Sequence, residues 1–387
     1  MTQSRKVAYL LFTITIVFFT PYIALYIKYG QIPPGFFHFP ATESMGKPGN
    51  NTLIIVITSI LFLVFLLLLF VPRLFGFEKN TVEKPTIKKI KLPLWFWIGA
   101  VLWSSILVLF IGKFHEPKWV INWALLPLWW GFILMLDGVV YKRNEGKSMV
   151  KEAPSELIAM GVLSISGWLI FEYFNFFIEL NWYYPAAFLM HHDEFLLYAI
   201  IGSSAFIPMA FEWYHLLRTF PLLNARYKSG PKVKYSLKTK IILLIIAFAL
   251  LAGLSFYPDS LFYAVWLAPL AIMIIVLSFL KIWTPFTPIV NGDWTSLILF
   301  APVWLLQGLC VECWNYLSFE NPNLTDTYNP GYWDYCIPFV NFGHLFNMPF
   351  LGYLGYVPFS IYCFIWVIVM AFLMNIKLPF SFSDEYR

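Results

Sequence analysis

The chain has 387 residues, of which 60% are hydrophobic, 20% aromatic and 12% charged, with a formal net charge of +5. So apolar a composition excludes a soluble globular domain and describes an all-α, polytopic membrane helix bundle. The positive charge reads as a loop bias towards one face of the membrane, and no nucleic-acid partner is expected from it.

In chain order, apolar stretches predict about ten transmembrane helices, at 7–27, 52–71, 94–112, 119–141, 156–178, 195–216, 241–257, 260–280, 294–317 and 349–375. With the amino terminus inside, 22 of the 26 Lys and Arg residues fall on the cytoplasmic side and only Lys28, Lys47, Lys113 and Lys118 fall outside. Both termini are therefore predicted to be cytoplasmic. Residues 1–93 form a helix pair with a basic loop, whose Lys and Arg run from Arg73 to Lys91.

The remaining eight helices read as two copies of a four-helix unit, 94–240 and 241–387. Trp123 and Pro127 are followed 45 residues after the proline by Glu172 and Asn175; Trp266 and Pro269 are followed 43 residues later by Glu312 and Asn315. Each Glu-x-x-Asn precedes an outer aromatic segment, Trp182-Tyr183-Tyr184 or Trp333-Asp334-Tyr335. Both copies start on the cytoplasmic side, so the repeat is expected to be parallel, with its pseudo-twofold axis along the membrane normal.

Positions i and i+3 share a helix face, so each carboxyl is expected to pair with its own Asn. No Lys or Arg lies beside them in a span. A carboxyl in such surroundings keeps its proton and can donate it; equally, the quartet can serve only as interhelical glue. Asp137 and Glu212 are further acids, read as helix-end groups reachable by water and without counterparts in the second copy, where Phe279 and Tyr362 align. The loops at 179–193 and 318–347 carry acids and aromatics but no Lys or Arg, as expected of an interfacial plug or a lid.

His191 and His192, with His344 in the matching loop, do not have metal-ligand spacing, and no metal or other cofactor is expected. Cys310 and Cys313 lie inside a span and read as small buried hydrophobes. The chain has no phosphate-cradling glycine loop, which argues against an ATP-driven pump.

The order of an acid, an aromatic-rich turn, then Gly and Pro opening a helix recurs as Glu172, Trp182-Tyr183-Tyr184-Pro185, Gly202 and Pro208, and as Glu312, Trp333-Asp334-Tyr335, Gly355 and Pro358. This order resembles the repeated unit of membrane-integral lycopene (carotenoid) cyclases. The resemblance implies a membrane bundle and an isoprenoid substrate. That family's Pro-x-Glu-Glu/Asp motif is absent, since Pro208 is followed by Glu212 and Pro358 by Ser360 and Tyr362, so no catalytic residue carries over.

Three readings follow. In the first, an enzyme protonates an apolar lipid or isoprenoid with Glu172 or Glu312, supported by Asn175, Asn315, Glu212 and Asp137, while Trp168, Trp182, Tyr183, Trp314 and Trp333 contact the ligand and stabilise positive charge. In the second, a transporter uses paired carboxylates for protons or a cation. In the third, the protein is a scaffold subunit of a membrane complex. The ligand partner is a membrane lipid or isoprenoid; oligomeric state is left open.

Overall fold

The structure, a computed structural model, describes residues 1–81, 90–114, 116–318 and 329–382; Lys84, Lys88 and Lys89 of the basic loop and Arg387 lie outside these residues. The main helices are α1 (Gln3–Tyr29), α2 (Thr52–Phe70), α3 (Leu94–Ile111), α4 (Leu125–Arg143), α5 (Pro154–Phe177), α6 (His192–Ser203), α7 (Phe206–Arg218), α8 (Leu237–Gly253), α9 (Ala264–Phe279), α10 (Thr295–Phe300), α11 (Val303–Leu317) and α12 (Tyr356–Leu373). Every predicted apolar stretch is helical. Among the described residues, eight helical stretches are long and apolar enough to cross a membrane, the make-up of a multi-pass membrane protein. The predicted seventh and eighth spans, α8 and α9, have 17 and 16 residues and fall short of that length.

Local chemistry fixes the boundaries. The Asn51 side chain accepts from the N–H groups of Leu53 and Ile54 and so starts α2. Gly30, at φ 71°, ends α1 in the left-handed region. Gly99 and Gly131 let α3 and α4 approach closely, since a Cβ on either would meet the other's carbonyl oxygen.

Two predicted spans are broken. One separates α6 from α7 just before Pro208, which has no N–H to offer the turn behind it; the other separates α10 from α11 at Pro302. Each break frees a backbone N–H inside the bundle, and a serine of a neighbouring helix receives it: Ile207 N–H donates to Ser164 Oγ at 3.0 Å and Trp304 N–H to Ser360 Oγ at 2.9 Å.

Four helices form the centre: α5 packs on α7 and α12, and α11 packs on the same two. The α3–α4 pair lies beside α7, the α8–α9 pair beside α12, and α1 packs on α8 and α9. By contrast α2 is held loosely. It has a single buried residue, Phe62, which meets Phe350 with ring centroids 5.5 Å apart.

Four two-residue strands lie at the loop end of the bundle. β1 (Trp182–Tyr183) pairs antiparallel with β2 (Asp334–Tyr335), placing Trp182 opposite Tyr335 and Tyr183 opposite Asp334. β3 (His344–Leu345) pairs with β4 (Met348–Pro349). The β1–β2 ladder ties together the two loops that follow the glutamate-bearing helices.

Candidate functional site

Glu172 lies near the loop end of α5 and Glu312 near the loop end of α11, 6% and 0% exposed. Successive residues of an extended segment point to opposite sides. Trp182 and Tyr184 thus turn down onto Glu172, as Trp333 and Tyr335 turn down onto Glu312, and the residues between them face away. Tyr184 Oη donates to Glu172 at 2.5 Å, and Trp182 Nε1 reaches both its oxygens at 3.2 and 3.3 Å. Tyr335 Oη donates to Glu312 at 2.7 Å and Trp333 Nε1 at 3.4 Å. The intervening Tyr183 and Asp334 bond each other at 3.2 Å.

The asparagines do not pair with their glutamates, contrary to the expectation from the i, i+3 spacing. Asn175 Nδ2 donates to the Trp182 carbonyl at 2.7 Å. Asn315 Nδ2 donates to the Trp333 carbonyl at 2.7 Å, and its Oδ1 accepts from Trp333 N–H at 3.1 Å. Each Asn reaches past the helix end because the loop backbone above presents unpaired polar groups. They seat the aromatic segments, and the aromatics then hold the carboxyls.

The Glu312 cradle has a hydroxyl donor that the Glu172 cradle lacks, while Trp168 stands beside Glu172. Tyr356 Oη donates to Glu312 at 2.6 Å, and its ring fits there because position 308 is Gly, where a Cβ would lie 2.5 Å from that ring. Near Glu172, Phe206 lies against Trp168 instead, stacked at 4.5 Å, and brings no hydroxyl.

Between α5, α7, α11 and α12 lies a cavity of about 790 Å³, walled by Trp129, Trp168, Trp182, Trp266, Trp304 and Trp333. Glu172 opens onto it, whereas Glu312 sits behind Tyr335 and Tyr356. Among the described residues, Glu172 is the one charged residue in the lining. One side of the cavity is closed by α2 through Ile54, Ile57, Thr58, Leu61 and Phe65.

Several predicted residues lie elsewhere. Trp314 turns away from the cavity towards Trp103 and Phe132, with centroids 6.4 and 5.1 Å away. Tyr183 also faces away, because it alternates with Trp182 and Tyr184 along the extended segment. Asp137 and Glu212 are not water-reachable helix ends: both are fully buried and face one another. Asp137 also accepts from Trp95, Ser148 and the Val150 N–H at 2.7, 2.7 and 2.9 Å. That pair does not line the cavity. His344 Nε2 lies 3.2 Å from Asn341 Oδ1, and among the described residues no group of three His, Cys, Asp or Glu could hold a metal. Sequence reasoning passed over Tyr184, Tyr335, Tyr356 and Trp304; the first two were visible as the last aromatic of each loop motif.

Two of the four lysines expected outside cap the glutamate-bearing helices, where helix carbonyls concentrate negative potential. Lys47 Nζ donates to the Ile178 carbonyl at 2.7 Å and Lys113 Nζ to the Leu317 carbonyl at 2.9 Å. Burial lowers Lys47's affinity for its proton, and Asp259 at 3.4 Å and Glu179 at 4.0 Å oppose that effect.

Comparison of the chain with protein-family models, with characterised proteins and with solved structures finds no match.

Proposed function

We propose that this is a membrane enzyme that isomerises an unsaturated, uncharged lipid or isoprenoid by protonating it from Glu172. The observation that carries the reading is a carboxyl that opens, alone among the described residues, onto a cavity of indole faces, with no cationic side chain among the described residues of its lining. Its volume falls within the range of about 300–1,000 Å³ usual for small-molecule sites. The Glu172 proton adds to one alkene carbon, the π pair forms the new C–H bond, and the positive charge on the neighbouring carbon meets the rings of Trp168, Trp182 and Trp266. Loss of a proton from an adjacent carbon to the Glu172 carboxylate restores the acid. The reaction is mass-neutral and needs no oxidant. An isoprenoid substrate is also what the resemblance to the cyclases implies.

In this reading the two four-helix units are a parallel repeat, supported by the matched cradles and by the register of β1 on β2, and the termini are cytoplasmic, supported by the distribution of basic residues. The second copy keeps the cradle and places its acid off the cavity. A carrier that loads protons on both carboxyls is the second reading, favoured by the same matched cradles; Glu312's separation from the cavity weighs against it.

The test compares apolar extracts of membranes making wild-type, Glu172→Gln or Glu312→Gln protein, resolved by chromatography and mass spectrometry. A pair of compounds of equal mass should shift towards the precursor in Glu172→Gln, with a smaller shift in Glu312→Gln. Unchanged isomer ratios in a Glu172→Gln protein that inserts normally would overturn the assignment.

A further inference from the structure

A second hollow, of about 380 Å³ and largely open at the bundle surface, adjoins the first on the outside of α5. It lies between Tyr22 of α1, Phe37 and Phe39 of the loop after α1, and Tyr173 and Phe176 of α5. Three side chains, Phe39, Leu169 and Glu172, line both spaces. The partition between them is therefore one side chain thick, and the carboxyl stands in it. Rings form the slot on the far side: Phe37 stacks on Tyr22 at 6.1 Å and on Tyr173 at 5.8 Å, and Phe37 is itself exposed at the bundle surface. Among the described residues neither space is lined by Lys or Arg, so none of them is placed to hold a phosphate or carboxylate headgroup.

We infer that the outer slot is the second half of the same ligand site, and that one long, flexible, uncharged chain runs from the central cavity between Phe39 and Leu169 into the slot, with its two ends on opposite sides of Glu172. The inference rests on reading the central cavity as the ligand site. Leu169 and Glu172 stand at i and i+3 on α5 and face the same way, so a chain in the passage runs alongside the carboxyl. Phe39 comes from a loop and closes the passage from the other side, which makes Phe39 and Leu169 the residues that select for chain length. A short chain is satisfied by the central cavity alone. A longer one buries further apolar length only if the passage admits it.

The test measures binding of radiolabelled farnesol, a short uncharged chain, and squalene, a long one, to the full chain in lipid nanodiscs. Phe176→Ala removes a ring of the slot on the helix side; Phe37→Ala removes one on the loop side and leaves the helix sequence intact if the first variant folds poorly, and neither residue lines the central cavity. Either should weaken squalene on the order of tenfold or more and leave farnesol within about twofold. Equal weakening of both probes, or of neither, would overturn the two-chamber site while leaving the central cavity as a ligand site. Failure of wild-type protein to bind either probe would remove the reading of the central cavity and this inference with it.

Discussion

Asn175 and Asn315 occupy matched places, yet replacing each by alanine should have unequal cost. Asn315 makes two bonds to Trp333, one through each end of its carboxamide. In Asn315→Ala the Trp333 carbonyl keeps a partner, Asn347 Nδ2 at 3.2 Å, but the Trp333 N–H loses the Asn315 Oδ1 that accepts from it. Two lost bonds at about 0.5–1.5 kcal/mol each, plus a penalty of about 1–3 kcal/mol for an orphaned N–H, give a total of about 2–6 kcal/mol. Asn175 makes one such bond and its own Oδ1 is buried without a partner, so Asn175→Ala should cost about 0.5–1.5 kcal/mol. The side-chain volume removed is the same in both, so packing terms largely cancel in the difference. Unfolding of the three proteins in one detergent, followed by circular dichroism, measures the gap. A cost at Asn175 equal to or above that at Asn315 would show that the asparagines do not seat the aromatic segments as described.

Asp334 gives a prediction in pH. Burial raises its carboxyl above the ordinary value of 3.8, against the Tyr335 N–H, the Tyr183 hydroxyl and nearby His344. The folded form then holds this proton more tightly than the unfolded chain, so its contribution to stability is full below 3.8 and is lost as pH rises through the raised value. Melting temperature in that window should fall with pH in wild type relative to Asp334→Asn, and parallel profiles would refute the assignment. For topology, a cysteine in place of the exposed Lys232 should react with an impermeant thiol reagent only from the cytoplasmic side; labelling from the other face would invert the orientation.

The helices were legible because uninterrupted apolar runs of this length have few alternatives to a helix in lipid. The breaks before Pro208 and at Pro302 were signalled by those prolines, but their repair by Ser164 and Ser360 depends on neighbours distant in sequence. Spacing located Glu172 and Glu312 and marked the aromatic segments above them. It misassigned the asparagines, because sharing a helix face does not decide between the carboxyl on that face and an unsatisfied loop backbone just beyond it. The pairing of Asp137 with Glu212 was invisible for a related reason: the two acids come from separate helices, α4 and α7, brought together by packing. Trp314 was placed at the ligand because an indole beside Glu312 was attractive by proximity, whereas the helical turn sends it to the opposite face, against Trp103 and Phe132. The cavity had no sequence signature. Its walls come from six or more segments, and one of them is α2, whose uniform hydrophobicity does not show which face meets lipid.

The central claim, that the indole-walled cavity beside Glu172 holds an uncharged apolar chain, is tested most directly by what leaves the membrane with the protein. Wild-type protein and Ala199→Trp, which puts an indole into the cavity from α6, are extracted in polymer nanodiscs, purified, and their apolar contents identified by mass spectrometry. The account predicts a long, uncharged, unsaturated compound enriched with wild type and lost from Ala199→Trp. Phospholipids alone, in bulk membrane proportions and the same for both proteins, would contradict it.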